Sequence, residues 1–265
     1  MKTALLLLFF LPLLPGTSLA AEIGCIAGDC QNGSGTMVFS NGSRYKGDFE
    51  NDEFSGQGTF YFANGSIYKG EYKNGRYNGK GIFTYANGSK YEGYFKNGEY
   101  DGEGTLTFAN GAKYSGQFKE STIEGEGKFT YADGSEYIGE FKNGTKDGHG
   151  IFIHADGSRY IGEFKNGFYH GQGKYIFADG EKYVGSFRDG NFNGQGIFVY
   201  ADGSKYVGGF KNGRRNGKGV YTEADGMRYS GEFEDDKFLG EDFISPQPSS
   251  ARELRKKGGY GPNMP

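Results

Sequence analysis

The side chains best suited to chemistry are few in this chain and poorly placed for it. His149, His154 and His170 are its only imidazoles. They fall at different phases of the sequence period described below, and their spacing gives neither a zinc-ligand pattern nor a nucleophile triad. His154 stands where related stretches carry Phe or Tyr, and it reads as a packed ring. Asp133, Asp156, Asp179, Asp202 and Asp225 form an acidic column, each followed by glycine. Turn geometry explains that pairing. Calcium needs roughly six to eight oxygens around one point, which carboxylates one period apart do not supply. Gly-x-Gly pairs such as Gly102-Glu103-Gly104 recur, but they lead into strand-like sequence and lack the lysine of a phosphate loop. The sequence predicts no catalytic residue, no metal and no cofactor, and therefore no enzyme.

Cations are more regular. Lys73, Lys96, Lys119, Lys142, Lys165, Arg188 and Lys211 each follow an aromatic residue. A second column, Arg44, Lys90, Lys113, Arg159, Lys182, Lys205 and Arg228, precedes a set of tyrosines. Two readings fit: a solvated face interleaved with Glu71, Glu140 and Glu163, or a stripe for anionic headgroups or polyanionic glycans. The formal net charge of −3 and the absence of a concentrated positive surface argue against nucleic acid.

What must position these columns is a strict repeat. Tyrosines stand at 45, 68, 91, 114, 137, 160, 183, 206 and 229, every interval being 23 residues. Glycine follows each tyrosine by two residues and again by eleven. An aromatic follows by four, and a glycine by thirteen until Asp242 replaces it. Lys90-Tyr91-Glu92-Gly93-Tyr94-Phe95-Lys96 alternates small or aromatic residues with charged or variable ones, which is the period of a strand. Asn97-Gly98 and Asn110-Gly111 mark hairpin turns, for which both central residues need positive φ. The expected fold is all-β: an elongated single-layer antiparallel sheet of tandem hairpins, about eighteen strands in all. Strand-interior glycine costs conformational entropy, so its recurrence beside rings predicts rings lying flat on bare backbone. A sheet covered only by rings is expected to leave them lining a groove or shallow trough.

Composition agrees. The chain has 50 glycines, 24 Phe, 21 Tyr and no Trp in 265 residues. Such an aromatic content excludes disorder, and six prolines without a three-residue glycine period exclude collagen.

The ends depart from the pattern. Lys2, the apolar run Ala4 to Leu14 and the site Ser18-Leu19-Ala20 read as a signal peptide over residues 1–20, cleaved near Ala20. Export to a periplasmic, extracellular or secretory compartment follows, where Cys25 and Cys30 can form a disulfide. Residues 21–44 read as a cap half-repeat, 45–243 as the array, and 244–265 as a basic Pro, Gly and Ser-rich tail. In the tail, Ser250 to Glu253 is a capping-box spacing before a short helical signal. Glu120-Ser121 replaces Asn-Gly and puts one tight turn in doubt. Five sequons, at Asn32, Asn41, Asn64, Asn87 and Asn143, coincide with turns that already explain them.

The pattern Tyr-x-Gly-x-aromatic-x-x-Gly, then Gly-x-Gly, then Asp/Asn-Gly, resembles the MORN repeat, with Lys142 to Gly150 as a representative stretch. The resemblance implies an elongated sheet of hairpins that scaffolds, dimerises or attaches at membranes. The expected function is a non-enzymatic exported scaffold for protein–protein interaction or self-association. Its expected contact residues are Tyr68, Tyr91, Tyr114, Tyr137, Tyr160, Tyr183 and Tyr206, with Phe95, Phe141 and Phe164 as platforms. Purely structural use of these rings is the other reading. The rival function is peripheral binding to anionic phospholipid or polyanion through the lysine ladders.

Overall fold

The computed structural model describes residues 22–244. The predicted signal peptide and the capping-box segment of the tail lie outside these residues. The chain forms twenty strands, from Glu22–Gly28 to Lys237–Ile244, with no helix among the described residues. Two strands exceed the expected number because the cysteine cap folds as its own hairpin, Glu22–Gly28 against Ser34–Phe39. Cys25 and Cys30 lie at bonding distance there, with Cα atoms 5.9 Å apart. Two compact units divide between Lys146 and Asp147, inside the strand Thr145–Ile153. Within each unit, strands pair antiparallel with their neighbours in chain order. Each repeat has a seven-residue tyrosine strand such as Ile67–Lys73 and then a nine-residue glycine strand such as Arg76–Thr84.

Two kinds of turn join them. The tight turn Asn74-Gly75 has φ of 49° and 71°, as the hairpin turn demands. Glu120-Ser121, where a tight turn was in doubt, adopts the same geometry with φ of 47° and 62°. Lateral bonding explains how side chains other than glycine persist there. Ser121 N–H donates to the Tyr100 carbonyl at 2.9 Å, just as Gly75 N–H donates to the Phe54 carbonyl at 3.0 Å. The wide turn differs from expectation, because of its Asn-Gly pair only the glycine has positive φ, 88° at Gly88. Asn87 instead accepts a bond on Oδ1 from Ser89 N–H at 2.9 Å. Asp133, Asp156 and Asp202 repeat that bond, so the acidic column belongs to turns. Bonds from Ser158 and Ser204 hold the Asp156 and Asp202 carboxyls below the usual range.

The two glycines of Gly-x-Gly have separate tasks. Gly70 pairs with Gly81 and Tyr72 with Tyr77, so the glycine strand spends two extra residues on a bulge around Gly79, at φ 73°. The second glycine lies under a ring: a Cβ on Gly81 would stand 2.5 Å from the Tyr68 hydroxyl and 2.7 Å from its ring. Gly70 is pressed against Gly81, where a Cβ would meet the partner Cα at 2.5 Å. Tyr68 thus lies across both strands and donates its hydroxyl proton to the Glu71 carbonyl at 2.9 Å. The same bond, to the carbonyl three residues on, recurs at Tyr45, Tyr91, Tyr114, Tyr137, Tyr160, Tyr183 and Tyr206.

Other rings cover each tyrosine. Tyr77 stacks on Tyr68 at 3.7 Å and 20°, while Tyr72 and Phe95 of the next repeat both meet it edge-on at 5.1 Å. Offset and edge contacts of this kind add about 0.5–1.5 kcal/mol each beyond area burial. The stacking position holds Ile123, Lys146 and Arg215 in three repeats. Lys146 sits over Tyr131 and Tyr137, and burial pulls its ammonium down to about 8. Arg215 is buried, donating from Nε to Asp236 Oδ1 at 3.1 Å and from Nη2 to the Asp236 carbonyl at 3.0 Å. The expected trough is therefore a closed core: Tyr45, Tyr68, Tyr91, Tyr114, Tyr137, Tyr160, Tyr183 and Tyr206 are each 0% exposed. Buried serines complete it. Ser66 Oγ accepts from Ala86 N–H at 3.1 Å, tying one wide turn to the next.

Three outcomes follow from this packing. Gly81→Ala is expected to cost about 1–3 kcal/mol by overpacking against Tyr68, read from urea denaturation of the single variant. The Tyr77 hydroxyl is buried without a hydrogen-bond partner among the described residues, because Phe62 stands where Tyr85 meets the Tyr100 hydroxyl one repeat on. Tyr77→Phe is expected to leave stability unchanged or raise it by about 1 kcal/mol, and Tyr100→Phe to lower it by about as much. Alkali should unfold the chain. Burial raises the phenols of Tyr45, Tyr68, Tyr91 and Tyr183 above the ordinary range and that of Tyr206 to about 12. Unfolded phenols lose protons near pH ~10 while folded ones keep them, so stability is intact below that pH. It falls as pH rises further, by about 1.4 kcal/mol per unit for each such tyrosine. Tyrosinate absorbance and circular dichroism should change together between about pH 10 and 12. Complete tyrosinate formation, the buried phenols included, with native dichroism intact would contradict the core.

Candidate interaction face

The structure corrects the predicted contact residues. Tyr68, Tyr91, Tyr114, Tyr137, Tyr160, Tyr183 and Tyr206 are fully buried, and Phe95, Phe141 and Phe164 nearly so. The tyrosines face bare backbone on one side and a stacking ring, or Ile123, Lys146 or Arg215, on the other, so no partner reaches them. The stacking column that seals them escaped the sequence reading, because it runs Phe54, Tyr77, Tyr100, Ile123, Lys146, Tyr169, Phe192, Arg215 and has no common residue type. His154 packs as a ring against Phe152, with Nε2 2.7 Å from the Tyr169 hydroxyl. No group of three or more His, Cys, Asp and Glu is placed to hold a metal among the described residues.

Alternation along the strands puts the residues between these positions on the opposite, open face. Lys73, Lys96, Lys119 and Lys142 in the first unit, and Lys165, Arg188 and Lys211 in the second, are exposed there. None makes an ion pair among the described residues. The acids between them are engaged differently. Glu71 Oε1 accepts from Lys80 N–H at 3.0 Å, and Glu163 Oε1 from Gln172 N–H at 2.8 Å, so these carboxylates satisfy backbone donors loosened by the bulge. Arg159, Lys182, Lys205 and Arg228 of the second basic column are exposed on the same face.

Between the two basic columns of the second unit runs a row absent from the sequence reading. Ile151 pairs with Ile161, Val184 with Ile197, Ile197 with Val207 and Val207 with Val220, while Lys174 sits between Ile161 and Val184. Ile151, Ile161, Val184, Ile197 and Val207 are each 37–47% exposed. In the first unit the equivalent row is mostly polar and reads Lys46, Thr59, Lys69, Ile82, Glu92, Thr105, Ser115, Lys128 and Ile138, of which Ile138 is 42% exposed. The strings Tyr160-Ile161-Gly162, Tyr183-Val184-Gly185 and Tyr206-Val207-Gly208 carried the signal. It becomes legible only when residues are sorted by face. Half-buried Ile153, Ile176 and Val199 alternate with the cations along one flank. A shallow hollow of about 280 Å³ lies over Gly150 and Gly162, beside His149, Ile151 and Ile161. This face offers aliphatic surface bordered by positive charge and no constellation for bond-making.

Three solved structures to which the chain is similar are distant from it in sequence. The TCP domain of Drosophila melanogaster SAS-4 (dCPAP), solved with a proline-rich motif of Ana2, is 16% identical over 65% of this chain and 94% of that one, with a TM-score of 0.40. The TCP10 domain of Danio rerio CPAP is 16% identical over 74% of this chain and 93% of that one, TM-score 0.42. Virginiamycin B lyase from Staphylococcus aureus is 13% identical over 80% and 73%, TM-score 0.17. Nothing about ligands or partners transfers at these scores. No curated protein matches. The sequence model of the MORN repeat, by contrast, matches residues 31–44, 45–67, 68–90, 91–113, 114–136, 137–159, 160–182, 183–205 and 206–228 without a gap. Those boundaries fall on the tyrosines that lie over the glycine pairs, and the chain belongs to the MORN repeat family.

Proposed function

We propose that this chain is a non-enzymatic, exported scaffold that binds a protein partner through the open face of its sheet. The observation that carries the reading is the exposed aliphatic row of the second unit between two basic columns. A solvent-facing sheet surface is ordinarily polar, and exposed apolar rows rimmed by charge mark contact surfaces. MORN repeats elsewhere serve as interaction repeats, which supports the same class. Every repeat spends its phenols and glycines on its own packing, which leaves no unique site for catalysis. Export is supported by the leader-like segment and by the cysteine pair at bonding distance in the cap.

The second reading, a peripheral binder of anionic phospholipid, is favoured by the exposed ladder cations of each unit, which make no ion pair among the described residues. Salt separates the two, since lysine-dominated binding weakens steeply with ionic strength and aliphatic docking does not. The full chain, secreted from an oxidising host, is to be sedimented with neutral and with anionic vesicles at low and high salt. The scaffold reading expects it to stay in the supernatant at physiological salt with either vesicle. Salt-sensitive pelleting with anionic vesicles alone, abolished by Lys73→Glu, Lys96→Glu and Lys119→Glu together, would make lipid the partner instead.

A further inference from the structure

We infer that the open face of the second unit seats an acidic amphipathic helix of the partner, lying across the strands from Thr145–Ile153 to Arg214–Thr222. The inference rests on the reading that this face binds protein and specifies what it binds. Neighbouring strands stand about 4.8 Å apart, so the row from Ile151 to Val220 advances one position per strand over about 29 Å, aliphatic on every strand but the one that carries Lys174. A helix rises about 5.4 Å per turn, so each turn presents one apolar side chain near each strand, and about 20 residues cover the row.

The charges fit the same length scale. Arg159, Lys182, Lys205 and Arg228 lie on alternate strands and are therefore about 9.6 Å apart along the flank. Seven helical residues advance about 10.5 Å. An Asp or Glu at every seventh position, beside an aliphatic stripe at three- and four-residue spacing, meets each cation in turn. Lys174 sits within the row and meets a further acid. The hollow over Gly150 and Gly162 receives one anchoring Leu or Ile side chain at the end of the row.

Charge excludes the other occupants. The chain's own residues 245–265 carry Arg252, Arg255, Lys256 and Lys257 against a single Glu253, the same sign as the flanks. A second copy placing its second unit here would bring these same flanking cations.

The test is selection of phage-displayed peptides of ~21 residues with helical propensity by the full chain at physiological salt. Enriched peptides are expected to carry the heptad of acids beside an aliphatic stripe. They are expected to bind about tenfold or more weakly to the variant Val184→Thr/Ile197→Thr/Val207→Thr, which keeps β-branched side chains and an unchanged melting temperature. Lys182→Glu/Lys205→Glu should exchange the preference from acidic to basic peptides. Enriched peptides without that pattern, or with affinity indifferent to both variants but lost on substitution in the first unit, would overturn the helix seat and leave the scaffold reading standing. If no peptide is enriched while anionic vesicles pellet the chain, both fall.

Discussion

A phenol ring resting on backbone that has no side chain is the contact on which this fold depends. In each complete repeat the ring crosses two paired glycines and returns its hydroxyl to its own strand, so one residue covers the sheet, fastens two strands and satisfies its polar atom. A single sheet ordinarily needs a second layer to bury its apolar face. Here the layer is supplied from within: tyrosine on glycine, a second ring on the tyrosine, and edge-on rings from its own repeat and the next. The next-repeat ring is what turns a series of hairpins into a continuous core within each unit, as nearest-neighbour coupling does in other repeat proteins.

The last repeat shows what happens when that contact is withdrawn. Asp242 stands where the second glycine should be, and the register shifts so that Gly231 faces Glu241. A Cβ on Gly231 would meet the Phe238 ring rather than a tyrosine, and the Tyr229 hydroxyl turns away to Glu223 Oε1 at 2.8 Å. Tyr229 and Phe238 meet at 6.3 Å and 71° instead of stacking. The cap at the other end uses a different device: the cysteine pair, with Asp29 Oδ1 accepting from Gln31 and Asn32 N–H in the turn between the cap strands.

Columns with a single tolerated residue were legible in the sequence, because sterics permit nothing else there. Gly81 under Tyr68 and Gly79 at positive φ are of this kind, and period, strands and tight turns followed from them. Columns defined by position rather than by type were not. The stacking place accepts Phe, Tyr, Ile, Lys or Arg because it needs only a flat or long side chain over a ring. The buried serine column was hidden among turn residues, where serine is expected anyway. The fate of the rings was misjudged because a sequence shows which face they share but not the bulge and second ring that close it. The aliphatic row of the second unit was missed because it is spread over strands and appears only once the register is known.

The separation of the two faces has a consequence for how such a chain changes over time. Residues toward the rings are held by their neighbours at van der Waals distance, and a substitution there disturbs the adjoining repeat as well. Residues toward solvent touch little besides water, and each strand contributes its own. Copies of one hairpin produced by duplication therefore remain bound to a common interior while their outer positions drift independently. The lysines and threonines of the first unit and the isoleucines and valines of the second are two texts written on the same ruled page. New recognition surfaces arise on such a chain by point substitution alone, at almost no cost to folding.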